Sequence, residues 1–156
     1  MPLESAYNPL NDPDGLFDIV SRRLFQASRE RLFEAFTDPR QLAQWWGPKG
    51  FTNTFDEFDF RPGGMWRFTM HGANGVEYRN ESRFLEIDPP EQIVLLHLLP
   101  MHEFRMSMRY GAEGQETELL WHMEFTEAME SDQLKRYIAE ANEQNFDRLE
   151  ALLQAD

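Results

Sequence analysis

The chain has 156 residues, enough for one domain whose core buries roughly 70% of the unfolded surface. Fifteen Lys and Arg stand against 28 Asp and Glu, a formal charge of −13, which opposes binding to nucleic acid because phosphate backbones are held by cations. Cysteine is absent, which excludes disulfides and thiolate chemistry and fits a reducing, cytoplasmic setting. There is no run of ~18 apolar residues to suggest a membrane span.

The opening stretch, "MPLESAYNPLNDPDG", is polar and rich in turn residues, without the apolar run of a signal peptide. Residues 1–14 are expected to form a flexible N-terminal arm, with one domain over 15–156. "LFDIVSRRLF", from Leu16 to Phe25, reads as a first strand. Ser28 then caps a helix whose apolar positions Leu32, Phe33, Ala35 and Phe36 share one side. Asp38 caps a second, two-turn helix with Pro39 at its first position, and Gly47-Pro48 ends it just after Trp45 and Trp46.

Strand patterns follow. Phe51–Phe60 runs into the turn Arg61-Pro62-Gly63-Gly64, and Met65–His71 alternates Trp66, Phe68 and Met70 against Arg67, Thr69 and His71. "VEYRNESRFLEI", "QIVLLHLL" and "EFRMSMRY" are three more strands, and Gly111–Gly114 marks a hairpin into "TELLWHMEFT". In that last strand Leu119, Trp121, Met123 and Phe125 share a face. Ser131–Gln154 is a long amphipathic helix whose stripe is interrupted by Asn142 and Asn145. An amide facing a dry core needs a partner, so Asn145 must bond a neighbour, water or a ligand.

The order strand, helix, helix, six strands, long helix implies an α+β fold. A seven-stranded antiparallel sheet of this kind twists and curls, and the long C-terminal helix lies in its curve. A curled sheet around a narrower helix leaves space between the two unless side chains fill it. Adjacent helical residues point about 100° apart. Trp45 and Trp46 therefore cannot both face a flat core: one indole is expected to seal the core and the other to face the opening of the space.

"RLFEAFTDPRQLAQWWGP", "FRPGGMWRF", "GVEYRNESRFLEIDPPEQIV" and "FDRLEALL" together resemble bacterial proteins related to activators of the ninety-kilodalton heat-shock chaperone ATPase. That family lies within the START-like, or SRPBCC, superfamily with the birch-pollen-allergen helix-grip fold. The resemblance runs from about Leu16 to Leu153. It implies a deep ligand cavity between the sheet and the last helix. One departure stands out: such proteins often carry Gly-Trp shortly before an "LDRL" stretch, and here Ala141-Asn142 precedes "FDRL". An amide in place of that indole implies a wetter or differently shaped pocket.

The expected cavity wall comprises Trp45, Trp46, Phe51, Trp66, Phe68, Tyr78, Trp121, Asn142, Asn145 and Phe146. The Tyr78 hydroxyl and the two amides would orient the ligand. The partner expected is a hydrophobic or aromatic small molecule, with no cofactor, no nucleic acid, no membrane and no metal, since no HExxH-type ligand pair is present. A cofactor-independent cyclase- or hydrolase-like enzyme is the alternative, with His71 or His122 carrying protons. His97, in "LLHLL", reads as a hydrogen-bonded core residue, His102 as a loop residue, and "RPGG" as a hairpin turn rather than a phosphate loop. Regulation of a chaperone ATPase rests on the family likeness alone, and an exposed edge strand is where a homodimer would form.

Overall fold

A computed structural model describes residues 15–155. The N-terminal arm expected over residues 1–14 lies outside the described residues. The elements follow the expected order: β1 (Asp18–Phe25), α1 (Arg29–Thr37), α2 (Pro39–Trp45), β2 (Thr52–Phe58), β3 (Met65–His71), β4 (Glu77–Asp88), β5 (Gln92–Leu99), β6 (Phe104–Glu113), β7 (Glu116–Phe125) and α3 (Asp132–Gln154). The seven strands form one curved antiparallel sheet in the order β1-β7-β6-β5-β4-β3-β2, with α3 gripped in its curve. β2 to β7 are a meander. β1 is carried to the far edge, beside β7, because the two short helices span the distance that a tight turn could not.

Local chemistry sets the helix boundaries. Ser28 Oγ accepts from the Arg31 amide at 3.1 Å, and Asp38 Oδ1 from the Arg40 amide at 3.0 Å, satisfying donors with no intrahelical partner. Ser131 Oγ does the same for Leu134 at the start of α3. Trp46 is not helical: at φ −66° and ψ 135° it is the extended C-cap of α2, and its amide donates back to the Leu42 carbonyl. Gly47 follows at φ 97°, a conformation that favours glycine, and a Cβ there would lie 2.6 Å from Met70 Cε.

The strands depart from expectation at two places. β6 continues past Tyr110 to Glu113, so the turn into β7 is only Gly114-Gln115, with Gly114 at φ 64°. A two-residue hairpin needs that left-handed position, and the glycine at 111 simply joins the ladder opposite Glu118. β2 stops at Phe58, after a bulge between Phe55 and Glu57. Arg61–Gly64 is a turn, as expected, closed by the Gly64 amide on the Arg61 carbonyl at 2.8 Å.

The concave face and α3 bury the core. Trp121 packs edge-on to Phe146 of α3 at 4.8 Å between centroids, and Phe146 to Phe25 of β1 at 6.0 Å. Each such side chain contributes roughly 1.5–3 kcal/mol on burial. Arg23 of β1 reaches over the Phe146 ring to Asp147 at 2.8 Å and Glu143 at 2.9 Å, fastening α3 to the edge strand. The opposite, convex face carries charged rows: Arg67 of β3 bonds Glu81 of β4 at 2.7 Å and also Glu57 of β2.

Candidate ligand cavity

Between α3 and the concave face lies a cavity of ≈ 260 Å³. The sheet supplies Trp66, Phe68 and Met70 of β3, Asn80 and Ser82 of β4, Leu95 and His97 of β5, Phe104 and Met106 of β6, and Trp121 and Met123 of β7. These residues meet because directly opposed strand residues point the same way: Trp66 pairs with Ser82, Phe68 with Asn80, and Met106 with Met123. Trp46, Gly47 and Pro48 form one rim, and Ile138, Asn142 and Asn145 of α3 close the top. None of these side chains is a carboxylate, a lysine or an arginine.

Six of the ten residues expected on the wall line this space: Trp46, Trp66, Phe68, Trp121, Asn142 and Asn145. The other four lie elsewhere. Trp45 is 1% exposed and donates from Nε1 to the Ala35 carbonyl at 2.9 Å, so it seals the core between α1 and α2. Trp46, turned out by the extended cap, sits between Trp66 and Trp121, with ring centroids 5.0 and 5.3 Å away. Phe146 is fully buried beneath Trp121. Phe51 and Tyr78 pack on each other at 6.0 Å, beyond the cavity end, so the Tyr78 hydroxyl is not on its wall.

The two amides differ. Asn145 uses both ends inside the protein: Oδ1 accepts from the Gly47 amide at 3.2 Å and Nδ2 donates to the Trp45 carbonyl at 2.8 Å. It is a clip between α3 and the rim. Asn142 donates from Nδ2 to Ser21 Oγ at 3.2 Å and to Met123 Sδ at 3.4 Å.

Of two side chains that sequence reasoning left out, one lines the cavity and the other holds its rim. His97 lines the cavity, stacks on Phe104 at 4.5 Å, and bonds through Nε2 to the Pro100 carbonyl at 3.0 Å. A carbonyl only accepts, so the proton sits on Nε2, and Nδ1 of the neutral ring is an acceptor. Burial lowers the His97 pKa below the usual histidine value, against the opposing pull of the Pro100 bond and of Glu103. Arg148 of α3 donates to four carbonyls, those of Gln44, Trp46, Gly47 and Pro48, at 2.8–3.1 Å. A cation on the last carbonyls of a helix is favourable in both charge and hydrogen bonding. The only hint in the sequence was the placement of Arg148 one α3 turn beyond Asn145, facing the helix-ending Gly-Pro.

The histidines assigned to proton transfer are on the other side of the sheet. His71 alternates with the cavity residue Met70 and bonds Thr54 Oγ1 at 2.8 Å and Glu77 at 3.2 Å. His122 alternates with Trp121 and Met123 and meets Asp18 at 3.1 Å and Glu124 at 3.7 Å. The strand period of two places both on the convex face.

The family model described as "Activator of Hsp90 ATPase homolog 1-like protein" matches residues 26–154. The chain belongs to this family. It falls within the START-like (SRPBCC) superfamily, and the architecture matches the helix-grip fold. Similar solved structures include a protein from Chromobacterium violaceum, 26% identical, at a TM-score of 0.77 over 89% of this chain and 98% of that one. A protein from Arthrobacter aurescens is 21% identical at a TM-score of 0.80, covering 90% and 88%. The AHSA1 protein of Silicibacter pomeroyi is 21% identical at 0.73, covering 88% and 98%. No match was found among curated proteins. In this member of the activator-like family, Asn145, just before the "FDRLEALL" stretch, and Arg148, within it, hold "WWGP", so two of the quoted motifs meet at the cavity rim. Among the described residues, no helix is long and apolar enough to cross a membrane.

Proposed function

We propose that residues 15–156 form one helix-grip domain that binds a hydrophobic or aromatic small molecule in the cavity between α3 and the sheet, without covalent chemistry. The observation that carries this reading is a wall of uncharged, largely aromatic and thioether side chains around ≈ 260 Å³, with a few polar atoms among them. Sites for small molecules are mostly apolar with sparse polar anchors. The volume lies just below the ~300–1,000 Å³ common for drug-sized ligands, which limits the guest to about a bicyclic aromatic. With Trp46, Trp66 and Trp121 on the wall, an apolar dye is expected to quench tryptophan fluorescence to a saturable limit. A linear, non-saturating response across a broad panel of apolar compounds would sink the proposal.

The enzyme alternative now has one specific support, the neutral His97 on the wall; His71 and His122 cannot serve it from the convex face. A reaction in this cavity would use the His97 Nδ1 acceptor as its base. Conversion of any bound compound that disappears in His97→Gln, with binding retained, would favour this reading over simple binding.

A further inference from the structure

Three polar side chains of the sheet lie together on the cavity wall: Asn80 and Ser82 of β4 and His97 of β5. Ser82 stands directly opposite His97 across the two strands, and Asn80 is two residues along the same face. Each has an atom to spare. Asn80 donates from Nδ2 to the Tyr78 carbonyl at 3.1 Å, which fixes the amide and leaves Oδ1 as an acceptor with no partner among the described residues. His97 commits its proton to the Pro100 carbonyl in the same way, leaving Nδ1. The Ser82 hydroxyl bonds no described residue. The indole nitrogens of Trp66 and Trp121 are closed off on every side, whereas these three atoms are not. Asn80 and Ser82 are 6% and 3% exposed and line the cavity, so the side on which they are open is the cavity. Polar groups at such depth are costly unless something pairs with them.

The strip offers two acceptors, Asn80 Oδ1 and His97 Nδ1, beside one hydroxyl that can donate or accept. A carboxylate or a ketone brings only acceptors and could meet Ser82 alone. An ammonium finds no carboxylate on the lining, so its desolvation would go uncompensated. A hydrocarbon would cover all three groups and pair none of them. A neutral hydroxyl fits the opposed pair: it donates to His97 Nδ1 and accepts from Ser82 Oγ, while Asn80 Oδ1 disfavours a second acceptor alongside.

We propose that Ser82 and His97, flanked by Asn80, are specificity determinants that select an apolar ligand bearing a neutral hydroxyl group, whose proton goes to His97 Nδ1. This rests on the cavity being a ligand site. The test uses three probes on one ring system: 2-naphthol, 2-methylnaphthalene and 2-methoxynaphthalene (which keeps the oxygen and lacks the proton). Each is titrated into the full chain at neutral pH while the histidine ring nitrogens are followed by NMR, with His97 assigned through its contact with the Phe104 ring. Naphthol should bind about tenfold more tightly than the methyl compound, which leaves the opposed pair without partners. It should also move the His97 Nδ1 resonance upfield, as an accepting ring nitrogen does, and the other two probes should not. In His97→Phe, which keeps a ring against Phe104, naphthol's advantage should shrink while affinity for the methyl compound is kept. Should that variant not fold, the Nδ1 shift in the unaltered protein decides. Saturable binding of naphthol and methylnaphthalene with equal affinity would overturn the hydroxyl preference and leave the cavity reading intact. Methoxynaphthalene binding as tightly as naphthol would show that no donor is selected, and an advantage that survives in His97→Phe would remove His97 from the role. Saturation by none of the three would remove the cavity reading itself, and this inference with it.

Discussion

The rim of the cavity and its sheet wall both carry tryptophan, and their buried polar atoms are treated differently. At the rim, the Gly47 amide and the carbonyls from Trp46 to Pro48 have partners, supplied by Asn145 and Arg148. On the sheet wall, two buried indole donors have none among the described residues. The rim behaves as scaffold: its backbone polar atoms are paired where α2, the Gly-Pro turn and α3 meet. Rim substitutions should therefore be read in stability and wall substitutions in binding.

The largest effect should come from the core beneath both regions. Phe146→Ala removes a fully buried ring that supports Trp121 and contacts Phe25, and should lower unfolding free energy by about 3–5 kcal/mol in denaturant titrations. A loss below about 1 kcal/mol would mean that this ring borders free space, as the sequence pattern had suggested, and that the boundary between core and wall drawn above is misplaced.

Arg148→Met keeps the apolar stem and removes the donors to four carbonyls. It should cost about 2 kcal/mol, in the range of charged hydrogen bonds, and loosen the rim enough to change the fluorescence of Trp46. An unchanged melting temperature together with unchanged emission would break the view of the rim as scaffold.

The smallest effect is a pH dependence on the wall. The pKa of His97 in the folded chain lies below the unfolded value of about 6.5, because burial penalises the cation. Below that value the unfolded chain takes up a proton that the folded chain resists. The contribution of His97 is thus fully present above about pH 6.5 and is lost as pH falls from there through its lower folded pKa. Thermal unfolding of His97→Gln should accordingly vary less between about pH 7 and about pH 5 than that of the parent. Identical slopes would show that the ring is solvated in the folded chain and not part of a dry wall.

Much of the fold was legible because it rests on local rules. Ser28, Asp38 and Ser131 announce helix starts through side-chain oxygens, and Trp66, Phe68 and Met70 declare a strand face by alternation. The candidate site was legible only where the same period applies. Trp66, Phe68 and Trp121 could be placed on the concave face, but how far along the strands the cavity extends could not. Phe51 and Tyr78 share the aromatic character of the wall and fall past its end. His97 was taken for core because "LLHLL" looks uniformly buried; its place on the wall depends on Phe104 from the next strand.

By itself, the sequence determined the order of elements, their caps and turns, the acidic surface and the division of each strand into an apolar and a polar face, since those depend on neighbours in the chain. Only the tertiary structure decided which buried polar atoms are paired and which are not. Asn145 and Arg148 find their acceptors on a turn about 100 residues away, while the indole nitrogens of Trp66 and Trp121 find none among the described residues. Hydrogen bonds close within about 3 Å, and such distances are set by how α3 seats in the curved sheet rather than by any spacing along the chain.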